Sequence, residues 1–420
     1  MNTIMNRAKL FIAFLVLISL LVFSCNRGFE NQKTSFSLKA SLIDSLLNSA
    51  VINQEIPGAV ACIVLNGKVV YNRAFGWRNI EKKIAMKEND IFRMASMTKG
   101  LTAVAILQLC ERGLLSLDDN ISKYIPEFKS PQLLVNIMPD SGFVSRPAKS
   151  EITIRQLLTH TSGLGYGFQD EKYNALIVKN NISEGFEDDS RTSLENIQRL
   201  AQIPLLCEPG EKYIYSLSYD VLSVIIEKIS GLRFDKYITR NILSPLGMND
   251  SYFLVPVEKQ QRLVSIYQPK TGGKGLETTM YPDTAYPTIM TRQYFSGGAD
   301  LCSTAEDYLR FVQMVLNKGS LNNTRILGKR YVEMMLSKQT RFEGGNSDQG
   351  FAAWVTNATG AAEGPMSKGS FGFGGFWDTY SWADPEENFV AVLLLQMYPG
   401  NRANIHQKYQ QIVYGVIDER

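Results

Sequence analysis

The chain has 420 residues, 45% hydrophobic and 20% charged, with a net charge of +3. That supports a large core in two or three domains, or in one domain with a long insertion. It excludes the concentrated basic patch that nucleic-acid binding requires.

The chain opens with MNTIMNRAKLFIAFLVLISLLVFSC. Arg7 and Lys9 precede an apolar run from Leu10 to Phe23, which is short for a membrane span and flanked like a secretory signal. The end Val22-Phe23-Ser24-Cys25 resembles a bacterial lipobox. Residues 1–24 are therefore expected to be a lipoprotein signal peptide, with Cys25 as the lipidated residue and 25–40 as a polar tether. The expected location is the bacterial periplasm or outer membrane, held by the lipid anchor alone. No other run is long and apolar enough to span. Cys62, Cys110, Cys207 and Cys302 show no C-x-x-C spacing, so no metal site is expected.

A helical pattern follows at 41–51 (SLIDSLLNSAV). Then GAVACIVLNGKVVYNRAFGW predicts two strands joined at Asn66-Gly67, a strong hairpin signal. FRMASMTKGLTAVAILQLCERG places Ser96 and Lys99 at the mouth of a helix that is apolar nearly all round and stops near Gly113. Beyond it come two long stretches read as loops, 127–150 and 165–192. TSLENIQRLAQI predicts a helix with a capping box at Ser193. YDVLSVIIEKISG predicts a helix ending at Gly231, and TAEDYLRFVQMVLNKG one capped by Thr304. FWDTYSWADP and NFVAVLLLQM predict paired strands around Asp384-Pro385. Strands at both ends and helices between imply one sheet built from both chain ends (about 41–92 and 290–420) with an all-helical insertion at about 93–290.

Ser96 and Lys99 lie three residues apart, on one helix face. A serine hydroxyl is a weak nucleophile until a neighbour takes its proton. The chain holds only two histidines, His160 and His406, and no G-x-S-x-G elbow. A lysine can serve instead if its surroundings leave it neutral. A helix N-terminus adds a favourable dipole and a free N–H for an oxyanion. Taken alone, the pair is explained as readily by helix capping at Ser96 with an exposed Lys99.

Four further segments follow in order: ITIRQLLTHTSGL (152–164), CEPGEKYIYSLSYDVLSVIIEKISG (207–231), SPLGMNDSYF (244–253) and GGADLCSTAEDYLRF (297–311). With the Ser96 segment they resemble the serine β-lactamase/penicillin-recognising superfamily over roughly 42–415. The nearest branch is the class C-like one, which holds family VIII carboxylesterases, statin-type acyltransferases and DD-peptidase-like hydrolases. The resemblance implies a β-lactamase/transpeptidase-like α/β fold without metal or cofactor. It makes Ser96 the acylated nucleophile, and Lys99 and Tyr215 (in Tyr215-Ser216-Leu217) its proton-transfer partners. It maps the third motif to Phe373-Gly374-Gly375, with substrate along that strand and the Ser96 and Phe376 amides as the oxyanion hole. Phe373 departs from the cation or imidazole of the β-lactamases. His160 reads as structural, Tyr166 and its loop GYGFQDEKYN (165–174) as lining an acyl pocket, and Trp354 and Trp377 as either pocket or core.

The resemblance favours an esterase acting on a small ester or amide. Rival readings are a class C-like β-lactamase or D-Ala-D-Ala carboxypeptidase acting on cell-wall peptide, and a catalytically idle periplasmic binding protein. Ser96→Ala separates the last from the others.

Overall fold

The computed structural model describes residues 40–138, 142–186, 190–279, 286–340, 345–400 and 404–417. The expected signal peptide, Cys25 and the tether through residue 39 lie outside them. Ala40 already belongs to a helix, α1 (40–52).

Among the described residues the central sheet has eight strands: β1 (Gly58–Leu65), β2 (Lys68–Asn79), β3 (Ile84–Ala85), β4 (Ser347–Gln349), β5 (Trp354–Thr356), β6 (Phe371–Gly375), β7 (Thr379–Asp384) and β8 (Phe389–Leu394). Their order is β4-β5-β6-β7-β8-β1-β2-β3, and each adjacent pair is antiparallel. The sheet is thus built from both chain ends, as expected. The turn at Asn66 (φ 51°) and Gly67 (φ 75°) takes the left-handed backbone that Asn-Gly tolerates, and it pairs Leu65 with Lys68.

β1 and β8 lie side by side at the centre and are covered on both faces. This is why they read as continuous apolar runs rather than alternating ones. The period-2 side-chain rule divides them. Val60, Cys62, Val64, Val390, Val392 and Leu394 enter a large core with α2 (Thr98–Glu111) and α5 (Ala305–Leu316). Ala59, Ala61, Ile63, Ala391 and Leu393 face the other way, onto α1 and the C-terminal helix α6 (Ile405–Ile417).

The insertion carries α3 (Ser193–Leu200), α4 (Ser218–Ser230) and shorter helices, but it is not all-helical. Gln132–Ile137 pairs with Phe143–Pro147, and Tyr267–Pro269 with Leu276–Thr278. The stretch read as a loop at 127–150 is therefore largely a hairpin, whose mostly exposed side chains give a weak apolar pattern. The second stretch holds a helix, Glu171–Lys179, capped by Asp170 and buried through Tyr173, Leu176 and Ile177. The capping box of α3 is Thr192 with Glu195, one residue earlier than expected. Ser193 is the first helical residue, and its hydroxyl accepts the Phe295 N–H. Thr304 and Gly231 cap their helices as predicted. No described helix is long and apolar enough to cross a membrane.

Candidate active site

Ser96 lies in a 3-10 turn, Ala95–Met97, that runs into α2. Ala95 ahead of it is buried with φ 46°, a left-handed conformation that L side chains adopt at a cost and that clusters at functional sites. Behind the turn every residue of α2 from Thr98 to Leu109 is buried, so Ser96 stands on a rigid support. Gly100 permits this. A Cβ there would sit 2.9 Å from the Phe373 ring and 3.0 Å from that of Phe311.

Lys99 and Tyr215 meet Ser96 as the sequence anticipated. The Tyr215 hydroxyl donates to Ser96 Oγ at 2.5 Å, and Lys99 Nζ donates to the same oxygen at 3.2 Å. Lys99 is 3% exposed. Its other acceptors are the Gly298 carbonyl (2.8 Å) and the Tyr166 hydroxyl (3.4 Å), so three acceptors match the three donors of an ammonium. Nζ also lies 4.6 Å from the centre of the Tyr215 ring. Burial, with Asp220 and Tyr215 nearby, holds Tyr166 well above the usual phenol range, so it remains a neutral phenol.

His160 is outside the triangle but supports it. Its ring packs 4.6 Å from that of Tyr215, and its Nδ1 accepts the Ser216 N–H at 3.2 Å. Burial and the Lys99 charge press its pKa well below the usual imidazole value, so it is neutral. It is structural, as read from the sequence.

The cleft over Ser96 has a volume of about 710 Å³. Tyr166, Gly374, Gly375 and Phe376 line it. Gly375 lets the end of β6 close on the Ser96 turn, since a Cβ there would meet the Met94 carbonyl at 2.3 Å. Ser96 and Phe376, whose amides were expected to form the oxyanion hole, therefore border the same cleft. Phe373 corrects the expectation. It is 2% exposed and packs with Phe311, Tyr308 and Phe371 against α2. Strand alternation turns Gly374 toward the cleft and Phe373 away from it. Trp377 is fully buried among Ala95, Ile266, Phe186 and Phe376, and Trp354 stacks on Tyr380, so both are packing residues.

Phe168, from the loop expected to line an acyl pocket, borders the cleft, but sequence reasoning missed several other neighbours. Phe186 and Tyr398 form an aromatic wall with Phe168 and Phe376, which stacks on Tyr398 at 4.3 Å. Across it, His406 Nε2 hydrogen-bonds Asp378 Oδ1 at 2.7 Å. The Gly298 carbonyl that receives Lys99 was signalled by the Gly297-Gly298 pair. A Cβ on Gly297 would meet the Tyr219 carbonyl at 2.3 Å, so this backbone must pass unusually close to α4. Among the described residues the cleft lining includes Glu184 and Asp378 but no Lys or Arg. The described residues contain no cluster of metal-ligand type. Cys62, Cys110, Cys207 and Cys302 are free thiols.

An antiparallel sheet and a largely helical insertion enclosing such a serine–lysine–tyrosine cluster have the architecture of the β-lactamase/penicillin-binding-protein-like serine hydrolases. The chain belongs to the β-lactamase family: the family model "Beta-lactamase" matches residues 42–414. It is 31% identical over 381 residues to Esterase EstB of Burkholderia gladioli, covering 86% of this chain and 92% of that one. It is 26% identical over 422 residues to ML-236A carboxylate methylbutanoyltransferase mlcH of Penicillium citrinum, covering 91% and 97%. The solved structure of EstCE1, described as a hydrolase with promiscuous acyltransferase activity, superposes with a TM-score of 0.78 at 26% identity, covering 91% and 99%. The protein is thus a serine hydrolase of the β-lactamase family, with esterases and acyltransferases among its relatives.

Proposed function

We propose that the enzyme cleaves small neutral esters through an acyl-enzyme on Ser96. One observation carries this reading: Ser96 Oγ, held by both Lys99 and Tyr215, sits in an aromatic-walled cleft whose lining, among the described residues, includes no Lys or Arg. β-Lactam acids and cell-wall peptides end in a carboxylate, which needs a cation or imidazole to hold it. Here Phe373 has turned into the core. His406 is already hydrogen-bonded to Asp378.

In this reading the reactive form of Tyr215 is the phenolate, its charge balanced by the Lys99 ammonium; it takes the Ser96 proton as Oγ attacks the ester carbonyl and so becomes a phenol. The Ser96 and Phe376 amides hold the oxyanion. The proton on Tyr215 passes to the departing alkoxide. Water or an alcohol, deprotonated in the same way, then removes the acyl group. Esterase and acyltransferase activity differ only in that acceptor, in keeping with the relatives named above.

The test is hydrolysis of p-nitrophenyl butyrate by wild type, Ser96→Ala and Tyr215→Phe. Turnover that both substitutions abolish supports the proposal, and turnover that survives Ser96→Ala overturns it. We also propose that the enzyme is exported and anchored through a lipidated Cys25, on the strength of the first 25 residues. Labelled palmitate incorporated by wild type but not by Cys25→Ala would support this, and equal labelling would refute it.

A further inference from the structure

The ammonium of Lys99 is buried, and its three hydrogen-bond acceptors are neutral oxygens. Among the described residues it makes no direct ion pair. An ammonium out of water without a counter-charge tends to lose its proton.

A carboxylate stands just behind it. Asp220, in the first turn of α4, is 1% exposed. Its Oδ1 accepts the Tyr294 hydroxyl at 2.6 Å, while Oδ2 closes no hydrogen bond. A Cβ built on Gly298 would lie 2.9 Å from Asp220 Oδ2, 3.1 Å from Tyr166 OH and 3.2 Å from Lys99 Nζ. The two charges therefore face each other across the bare Cα of Gly298, no more than about 6 Å apart. At that distance in a buried site the attraction is strong.

We propose that Asp220 is a positioning residue of the active site: its carboxylate is the counter-charge that keeps Lys99 an ammonium beneath Ser96 and Tyr215. The inference rests on the Ser96 chemistry proposed above. Lys99 on α2, Tyr166 in the preceding loop, and Tyr294 and Asp300 in the segment before α5 face Asp220, with Tyr215 just ahead of its own helix. Asp300 is matched by Arg292 at 2.5 Å, so Asp220 is left to balance Lys99. Burial pushes the Asp220 carboxyl up to about 6, against the pull of Ser296, Tyr294 and Lys99. At neutral pH it is ionised. As pH falls through about 6 it takes a proton, and Lys99 loses its counter-charge.

Ester hydrolysis against pH is compared for wild type, Asp220→Asn and Asp220→Glu, beside ¹³C NMR of the Lys99 side chain, assigned by its loss in Lys99→Met. In wild type, kcat/KM falls on the acid side with a midpoint near pH 6, and the Lys99 signal inflects at the same pH. Asp220→Asn lowers kcat roughly 10- to 100-fold with little change in KM. It also removes that acid limb and the inflection of the Lys99 signal, while Asp220→Glu restores part of each. An unchanged pH profile and an unchanged Lys99 titration in Asp220→Asn would overturn the proposal. Should that variant fail to fold, a wild-type Lys99 signal without the inflection does so. Hydrolysis surviving Ser96→Ala is a separate result, and it refutes the ester chemistry instead.

Discussion

One methyl group tests how tightly the site is built. In Gly298→Ala the new Cβ would lie 2.9 Å from Asp220 Oδ2, 3.1 Å from Tyr166 OH and 3.2 Å from Lys99 Nζ. Ordinary carbon–oxygen contacts are about 3.3–3.6 Å, so each neighbour must yield by a few tenths of an ångström. Gly298 is not among the glycines with left-handed φ, so alanine is allowed by the backbone and the effect is steric. Lys99 is the movable member, and it is tethered to Ser96 Oγ at 3.2 Å and to the Gly298 carbonyl at 2.8 Å. Misplacement by about 1 Å costs on the order of 100-fold in rate, so a shift of a few tenths predicts a kcat loss of roughly 3- to 30-fold. KM should change less than kcat, because two of the three atoms nearest the methyl belong to Asp220 and Lys99 and only one, the Tyr166 hydroxyl, to the cleft lining. Overpacking should cost about 1–3 kcal/mol, partly offset by about 0.4–1 kcal/mol from the stiffer unfolded chain. Steady-state kinetics with p-nitrophenyl butyrate and a urea titration measure both. A variant with wild-type kcat and stability would refute the packing described around Lys99.

Other consequences follow from charge and burial. Burial would raise Asp250, but hydrogen bonds from Arg262, Lys259 and Tyr252 hold it down at about 2. Its folded pKa lies below the unfolded value of 3.8, so it stabilises the protein above that value and the gain is lost as pH falls toward about 2. Asp250→Asn should therefore cost on the order of 1 kcal/mol at neutral pH, since solvent screens these partly exposed ion pairs, a gap that closes in denaturant titrations run at progressively lower pH. Burial pushes the Cys62 and Cys302 thiols up to about 12. Native protein at mildly alkaline pH should leave both unmodified by iodoacetamide until urea unfolds it, as read by peptide mass. Benzylpenicillin brings a carboxylate to a cleft whose described lining holds no Lys or Arg. Forgoing a charge-assisted hydrogen bond of about 1.5–3 kcal/mol should lower kcat/KM by about 10- to 100-fold below that for a neutral ester, and comparable values would contradict the proposed selectivity.

Much of this was legible in the chain because local and global signals agree. Asn66-Gly67, Thr304 and Gly231 each carry turn or cap chemistry that their positions demand, and all three appear where expected. Ser96, Lys99 and Tyr215 meet in space as their motifs led one to expect, although Tyr215 is 119 residues from Ser96. Phe373 was misplaced because a motif gives a strand's position but not which face a side chain takes. Its alternation with Gly374 decided that, through packing against Gly100. The hairpin at Gln132–Pro147 was hidden because most of its side chains are exposed and bury no regular stripe. Asp220 gave no signal, since its role depends on Tyr294 and Gly298, more than seventy residues away in the chain.

The most direct test of the account is the covalent intermediate. Enzyme turning over p-nitrophenyl butyrate is quenched in acid, digested and mapped by mass spectrometry. The account predicts one butyryl group on the peptide that carries Ser96, absent from Ser96→Ala and absent before substrate is added. A modification at another residue, or hydrolysis that proceeds with Ser96 unmodified while the Ser96→Ala variant remains active, would contradict it.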